Sequence, residues 1–105
     1  MGCSVSWTKW AENDVDGAVG YIVNTLDNRQ AAKKLLDDLG AAIERIAGSP
    51  EMYAVSTQTS LAARGLRACF IGNYVLLYRI DGKQVIIYRV FSTLRDYARL
   101  IERME

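Results

Sequence analysis

The chain has 105 residues, half of them apolar and about a quarter charged, with a single Pro, which fits one domain spanning 1–105 and excludes disorder as its main state. Thirteen Lys and Arg nearly cancel twelve Asp and Glu, so net charge does not announce a nucleic-acid binder, nor does it forbid a local basic face. There is no His, which removes Ser-His-Asp and Cys-His triads, a histidine general base and any histidine-ligated metal.

Val5 and Trp7 alternate with Ser4, Ser6 and Thr8, the period of a short strand with one wet face. Ala11, Val15, Ala18/Val19, Ile22 and Leu26 then recur at three and four, which predicts an amphipathic helix over about residues 10–26. Asp27-Asn28 breaks that pattern and offers an N-cap for a second helix. Its buried stripe is expected to be Leu35/Leu36, Leu39, Ile43 and Ile46, ending at Gly48-Ser49-Pro50. Gly40 inside it marks either a close backbone approach or a tolerated position. So short a connection makes the two helices antiparallel.

Ser56 to Ser60 is a polar connector, with Leu61 beyond it as a residue for the core. Three strand-like runs follow: Gly65 to Ile71, closed by Gly72-Asn73; Tyr74 to Ile80, closed by Asp81-Gly82; and Gln84 to Phe91. Thr93 with Asp96 three residues on has the spacing of a capping box and opens a last helix. The order is β-α-α-β-β-β-α. Strand runs segregated from helix runs mean an α+β fold, a mainly antiparallel sheet with two antiparallel N-terminal helices packed on one face.

A two-residue loop at Asp81-Gly82 pairs Ile80 with Lys83, Tyr78 with Val85, Leu76 with Ile87 and Tyr74 with Arg89. One face then carries Tyr74, Leu76, Tyr78, Ile80, Val85, Ile87, Arg89 and Phe91, and the other Val75, Leu77, Arg79, Ile86, Tyr88 and Val90. Both faces are largely apolar, and two helices cover one. The last helix, an oligomer mate or a partner segment is left to cover the other. Charge is also divided: residues 1–48 sum to −2 and the remainder to +3, seven of the eight later cations being Arg. Arginines interleaved with tyrosines suit phosphate contact and base stacking, and equally suit half-buried strand packing.

Cys3 and Cys69 have no CxxC spacing, and two Cys make no zinc site without carboxylate help, so two reduced thiols and neither metal nor other cofactor are expected. Met1 to Trp10 is too short and polar for a secretory signal, and no apolar run approaches the roughly 18–20 residues of a membrane span. The expectation is a cytoplasmic chain without a membrane partner.

Arg64-Gly65-Leu66-Arg67, Asn73 to Ile80, Val85 to Val90 and Arg95-Asp96-Tyr97, in that order and spacing, resemble the RelE/ParE superfamily of bacterial toxins. The helical half, from Tyr21-Ile22 through Asn28 to Ser49-Pro50, is similar to that family's paired helices. The resemblance implies the toxin of a type II toxin–antitoxin system, bound by a cognate antitoxin as a hetero-oligomer or present as a homodimer. It also implies growth arrest and plasmid stabilisation. RelE-like members inhibit translation as metal-independent, ribosome-dependent endoribonucleases acting on mRNA. ParE-like members bind DNA gyrase and hydrolyse nothing.

RelE-type cleavage needs a group to take the 2′-OH proton, a cation on the crowded phosphate and an acid for the leaving oxygen. Ser92 stands where many members have His, Leu94 where they have Arg, and Phe70 and Ile71 where ribonuclease members often carry a basic residue. The catalytic candidates are therefore Arg67, Arg89 and Arg95 for phosphate, with Tyr97 to move a proton. Arg64, Tyr78, Arg79, Lys83 and Tyr88 are the candidates for RNA or target binding. The superfamily's commoner activity favours mRNA cleavage. A ParE-like gyrase binder is the alternative, as is a decayed toxin that only binds its antitoxin.

Overall fold

The computed structural model describes residues 3–53 and 64–93. The expected polar connector, Leu61, the last helix, Arg95 and Tyr97 lie outside them. The first strand, β1, is Ser4–Trp7. Thr8 then caps the helix α1, Lys9–Gly20, its hydroxyl accepting from the Ala11 N–H at 3.0 Å. The expected helix does reach residue 25, but its end is a π-helical turn, Tyr21–Thr25, closed by Leu26 N–H donating to the Tyr21 carbonyl. That widened turn carries Leu26 off the apolar stripe, and its side chain is 55% exposed rather than buried. Asp27 takes the left-handed conformation (φ 51°) to turn the chain, and Asn28 caps α2, Arg29–Gly48, by accepting from Ala31 N–H at 2.9 Å.

In α2 the buried residues are Ala32, Leu35, Leu39, Ala42 and Ile46. Leu36, expected in the stripe, is exposed, because it sits about 100° round the helix from Leu35. Gly40 faces open space and is a tolerated position rather than a close approach.

Strands β2 (Arg67–Ile71), β3 (Tyr74–Asp81) and β4 (Gln84–Ser92) run antiparallel, and β1 joins the far side of β4 in parallel, giving the sheet order β1-β4-β3-β2. The β3–β4 turn is one residue later than the sequence reading placed it. Asp81 pairs with Gln84 and the loop is Gly82-Lys83, with Gly82 at φ 62°. The β2–β3 turn repeats that chemistry, Gly72-Asn73 with Gly72 at φ 57°. Ile80 therefore pairs with Val85 and Tyr78 with Ile87.

Beyond Ile87 the register shifts. Tyr88 is the surplus residue of a bulge, and Leu77 pairs with Arg89, Leu76 with Val90 and Tyr74 with Ser92. Arg89 and Phe91 thus leave the helix-side face to which strict alternation assigned them, and Val90 takes their place.

Two cores result. Leu76, Tyr78, Val85, Ile87 and Val90 pack beneath the helices with Ala11, Ile22, Leu35, Leu39 and Ile46. On the other face Leu66, Val75, Leu77, Tyr88 and Phe91 form a separate buried cluster. Of the covers left open for the second face, the structure favours the chain itself: these residues are already buried within one chain.

Candidate functional site

The strand cations and phenols fall into two groups on opposite faces of the sheet. Arg67 pairs with Tyr78 across β2 and β3 and so shares the helix-side face. There α2 ends and the chain returns over it. The Arg67 guanidinium donates to the Tyr53 carbonyl at 2.6 Å, and the Tyr78 hydroxyl donates to the Pro50 carbonyl at 2.6 Å. The Tyr53 and Tyr78 rings meet edge to face at 6.5 Å between centroids. Burial pushes the Tyr78 phenol up to about 12, the nearby Arg67 charge opposing it only in part. The Arg45 guanidinium bonds the Tyr53 side chain, which raises its own pKa.

The second group forms where β1 ends and α1 takes over the edge of β4. Thr8 N–H donates to the Ile87 carbonyl at 3.0 Å and its hydroxyl to the Tyr88 carbonyl at 2.6 Å. Asp14 completes the seam. It accepts Arg89 Nε at 2.6 Å and Nη2 at 2.8 Å as a fork, and also the Val90 N–H at 3.0 Å. The pair is mostly buried, its side chains 15% and 12% exposed. The Arg89 guanidinium also lies over the Phe91 ring at 4.3 Å, and Trp10 meets Tyr88 edge to face at 5.8 Å.

Of the candidates from sequence, Arg67 and Tyr78 come together, as do Arg89 and Tyr88, but the two pairs do not share a surface. Tyr78 and Tyr88 are buried. Arg79 and the turn residue Lys83 are exposed near the β3–β4 hairpin, and Arg64 is half-buried on the approach to β2. Sequence reasoning missed Asp14, Tyr53 and Arg45. Asp14 is 75 positions from Arg89, and only the bulge brings them together. Among the described residues no group of His, Cys, Asp and Glu is placed to hold a metal ion, and no helix is long and apolar enough to cross a membrane.

A third feature is a groove of about 510 Å³ between the π-turn, the start of α2 and the β2–β3 hairpin, with Tyr21, Ile22, Leu26, Leu35, Ile71 and Tyr74 in its walls. Tyr21 and Leu26 are both 55% exposed there. The π-turn creates this apolar surface, and the sequence signal for it was the very stripe that assigned Leu26 to the core.

Two helices on one face of a four-stranded mixed sheet, with an arginine- and tyrosine-rich strand half, define the architecture of RelE/ParE superfamily toxins. Residues 5–97 match the family model of the ParE toxin of type II toxin–antitoxin systems, and the chain belongs to that family. It is similar to a chain of the chromosomal ParDE system from P. aeruginosa at 21% identity and TM-score 0.70, over 86% of this chain and 95% of that one. It is similar to a chain of the RelBE2 toxin–antitoxin complex from Mycobacterium tuberculosis at 23% identity and TM-score 0.60, over 88% and 99%. YafQ from E. coli has the same fold at 15% identity and TM-score 0.53, over 88% and 94%. No curated protein sequence gives a significant match.

Proposed function

We propose that this toxin arrests growth by binding a protein target, DNA gyrase being the one that its ParE resemblance implies, and that it does not cleave RNA. In the cell it is held by a cognate antitoxin. The observation that carries this reading is the Asp14–Arg89 fork, because the β4 cation that a cleavage site would set against phosphate is committed to a carboxylate of its own chain. The phenols point the same way. Tyr78 is buried, bonded to Pro50 and pushed up to about 12, so it takes no proton from a ribose near neutral pH. Tyr88 is buried beneath Trp10. Arg79 and Lys83 remain exposed, and cations of that kind serve a protein surface as well as a phosphate.

The test is paired. Purified toxin is added to gyrase in a supercoiling assay, and message from cells expressing it is mapped by primer extension. Inhibited supercoiling with trapped cleaved DNA, alongside intact message, is the expected result. New mRNA ends with gyrase untouched at high excess of toxin would return the chain to the RelE-like reading. Overexpression without a growth defect would leave only antitoxin binding.

A further inference from the structure

Helix α2 covers the sheet with one side and turns the other to solvent. Arg29, Lys33, Leu36, Gly40 and Glu44 follow one another at three and four, so they form a single stripe, and all five are exposed. Leu36 is 47% exposed, a large apolar side chain in the middle of a charged face. A Cβ on Gly40 would meet nothing, and Ala would make a more stable helix there. Glu44 has no ion-pair partner among the described residues, nor has Arg29, whereas Lys33 holds Asp37 at the rim of the stripe at 2.7 Å. The stripe is also ordered by charge. Its cations stand at the N-terminal end and its carboxylate at the C-terminal end, with the apolar side chain and the gap between them.

We propose that this stripe docks a second copy of the chain, with the two α2 helices antiparallel and Leu36 of each copy seated over Gly40 of the other. The stripe carries its own complement, and that selects the occupant. Around the level of Asp38, Leu36 and Gly40 lie two residues to either side, and Lys33 and Glu44 lie five and six. One antiparallel register therefore matches both pairs. The leucine of each copy fills the place of the other's missing side chain, and Lys33 meets Glu44, with Arg29 one turn beyond. A parallel pair would set Arg29 and Lys33 against themselves. The net charge of +1 leaves little repulsion between copies. Gly40 is thus a tolerated position within one chain and a close approach between two. Tyr78 faces the helices, so Arg79, next on β3, lies on the far face of the sheet, and the pair presents that face twice. The inference does not depend on what the target is.

The test is sedimentation of the purified full chain over a range of concentrations. One helix face is smaller than the roughly 800 Å² a side of a standard interface, so a reversible dimer in the micromolar range is expected. Gly40→Gln fills the gap with a good helix former. It is expected to weaken pairing at least tenfold while the Tm of the monomer holds or rises. Leu36→Gln removes the apolar side chain from an exposed position and is expected to do the same with Tm unchanged. Glu44→Lys and Lys33→Glu should each weaken the pair, more at low salt than at high. Combining them should restore it, because the swap rebuilds the contact between copies. A chain that stays monomeric up to about 1 mM overturns the proposal. So does a dimer that Gly40→Gln and Leu36→Gln leave intact, which puts the contact elsewhere. NMR shifts at Leu36 and Gly40 that follow added product of the adjacent reading frame, and not the chain's own concentration, give the stripe to another partner and overturn it too.

Discussion

The seam between α1 and β4 and the seam between α2 and β2 are built from the same residue types, yet they are joined differently. At the first, a carboxylate grips a guanidinium in a mostly buried fork and takes a backbone N–H as well. At the second, a phenol and a guanidinium each donate to a backbone carbonyl. Removing one partner from a buried ion pair strands a charge, whereas removing a neutral donor strands only a carbonyl. The α1–β4 seam should therefore be the more fragile, although both look like arginine–tyrosine surface in the sequence.

Asp14→Ala breaks or confirms this most directly. It is expected to destabilise the chain by about 3 kcal/mol in urea unfolding, the lower end of the range for a buried pair because a little of each side chain reaches solvent. Adding Arg89→Met should recover part of that loss. Tyr78→Phe, at the other seam, is expected to cost about 1.5 kcal/mol, the penalty of an unsatisfied carbonyl. An equal or larger loss than for Asp14→Ala would invert the comparison. Thr8→Ala, which loses the α1 cap and the bond to Tyr88, is expected to cost about 1 kcal/mol.

The phenol sharpens the contrast through pH. Tyr78 ionises at about 12 in the folded chain against about 10 when unfolded, so its contribution to stability is complete below pH 10 and lost as pH rises toward 12. An absorbance titration of the folded protein should show a late tyrosinate component that Tyr78→Phe removes. The smallest effect belongs to the exposed Lys33–Asp37 pair on α2, where Asp37→Ala should leave Tm unchanged within error.

Local chemistry made much of the fold legible. Asn28 caps where its side chain and position said it would, Gly72 and Gly82 mark both hairpins, and the α2 stripe runs through Leu35, Leu39 and Ile46. What escaped was non-local. Nothing in Ile87-Tyr88-Arg89 announces a bulge, and that one residue moves Arg89 and Phe91 across the sheet. Nothing near Leu26 announces a π-turn. The site suffered for the same reason. Arg67 and Arg89 were visible as cations on strands, but their partners, the Tyr53 carbonyl and Asp14, are set by tertiary contact rather than by spacing. The burial of Tyr78 and Tyr88 is likewise set by tertiary packing.

The parallel pairing of β1 with β4 has a consequence for how the molecule is made. Val5 meets Val85, so β1 waits for β4 before its ladder can form. A nascent or prematurely terminated chain that stops short of β4 has no neighbour for its opening strand and lacks the α1–β4 seam altogether. The sheet thus cannot close until β4 has been made.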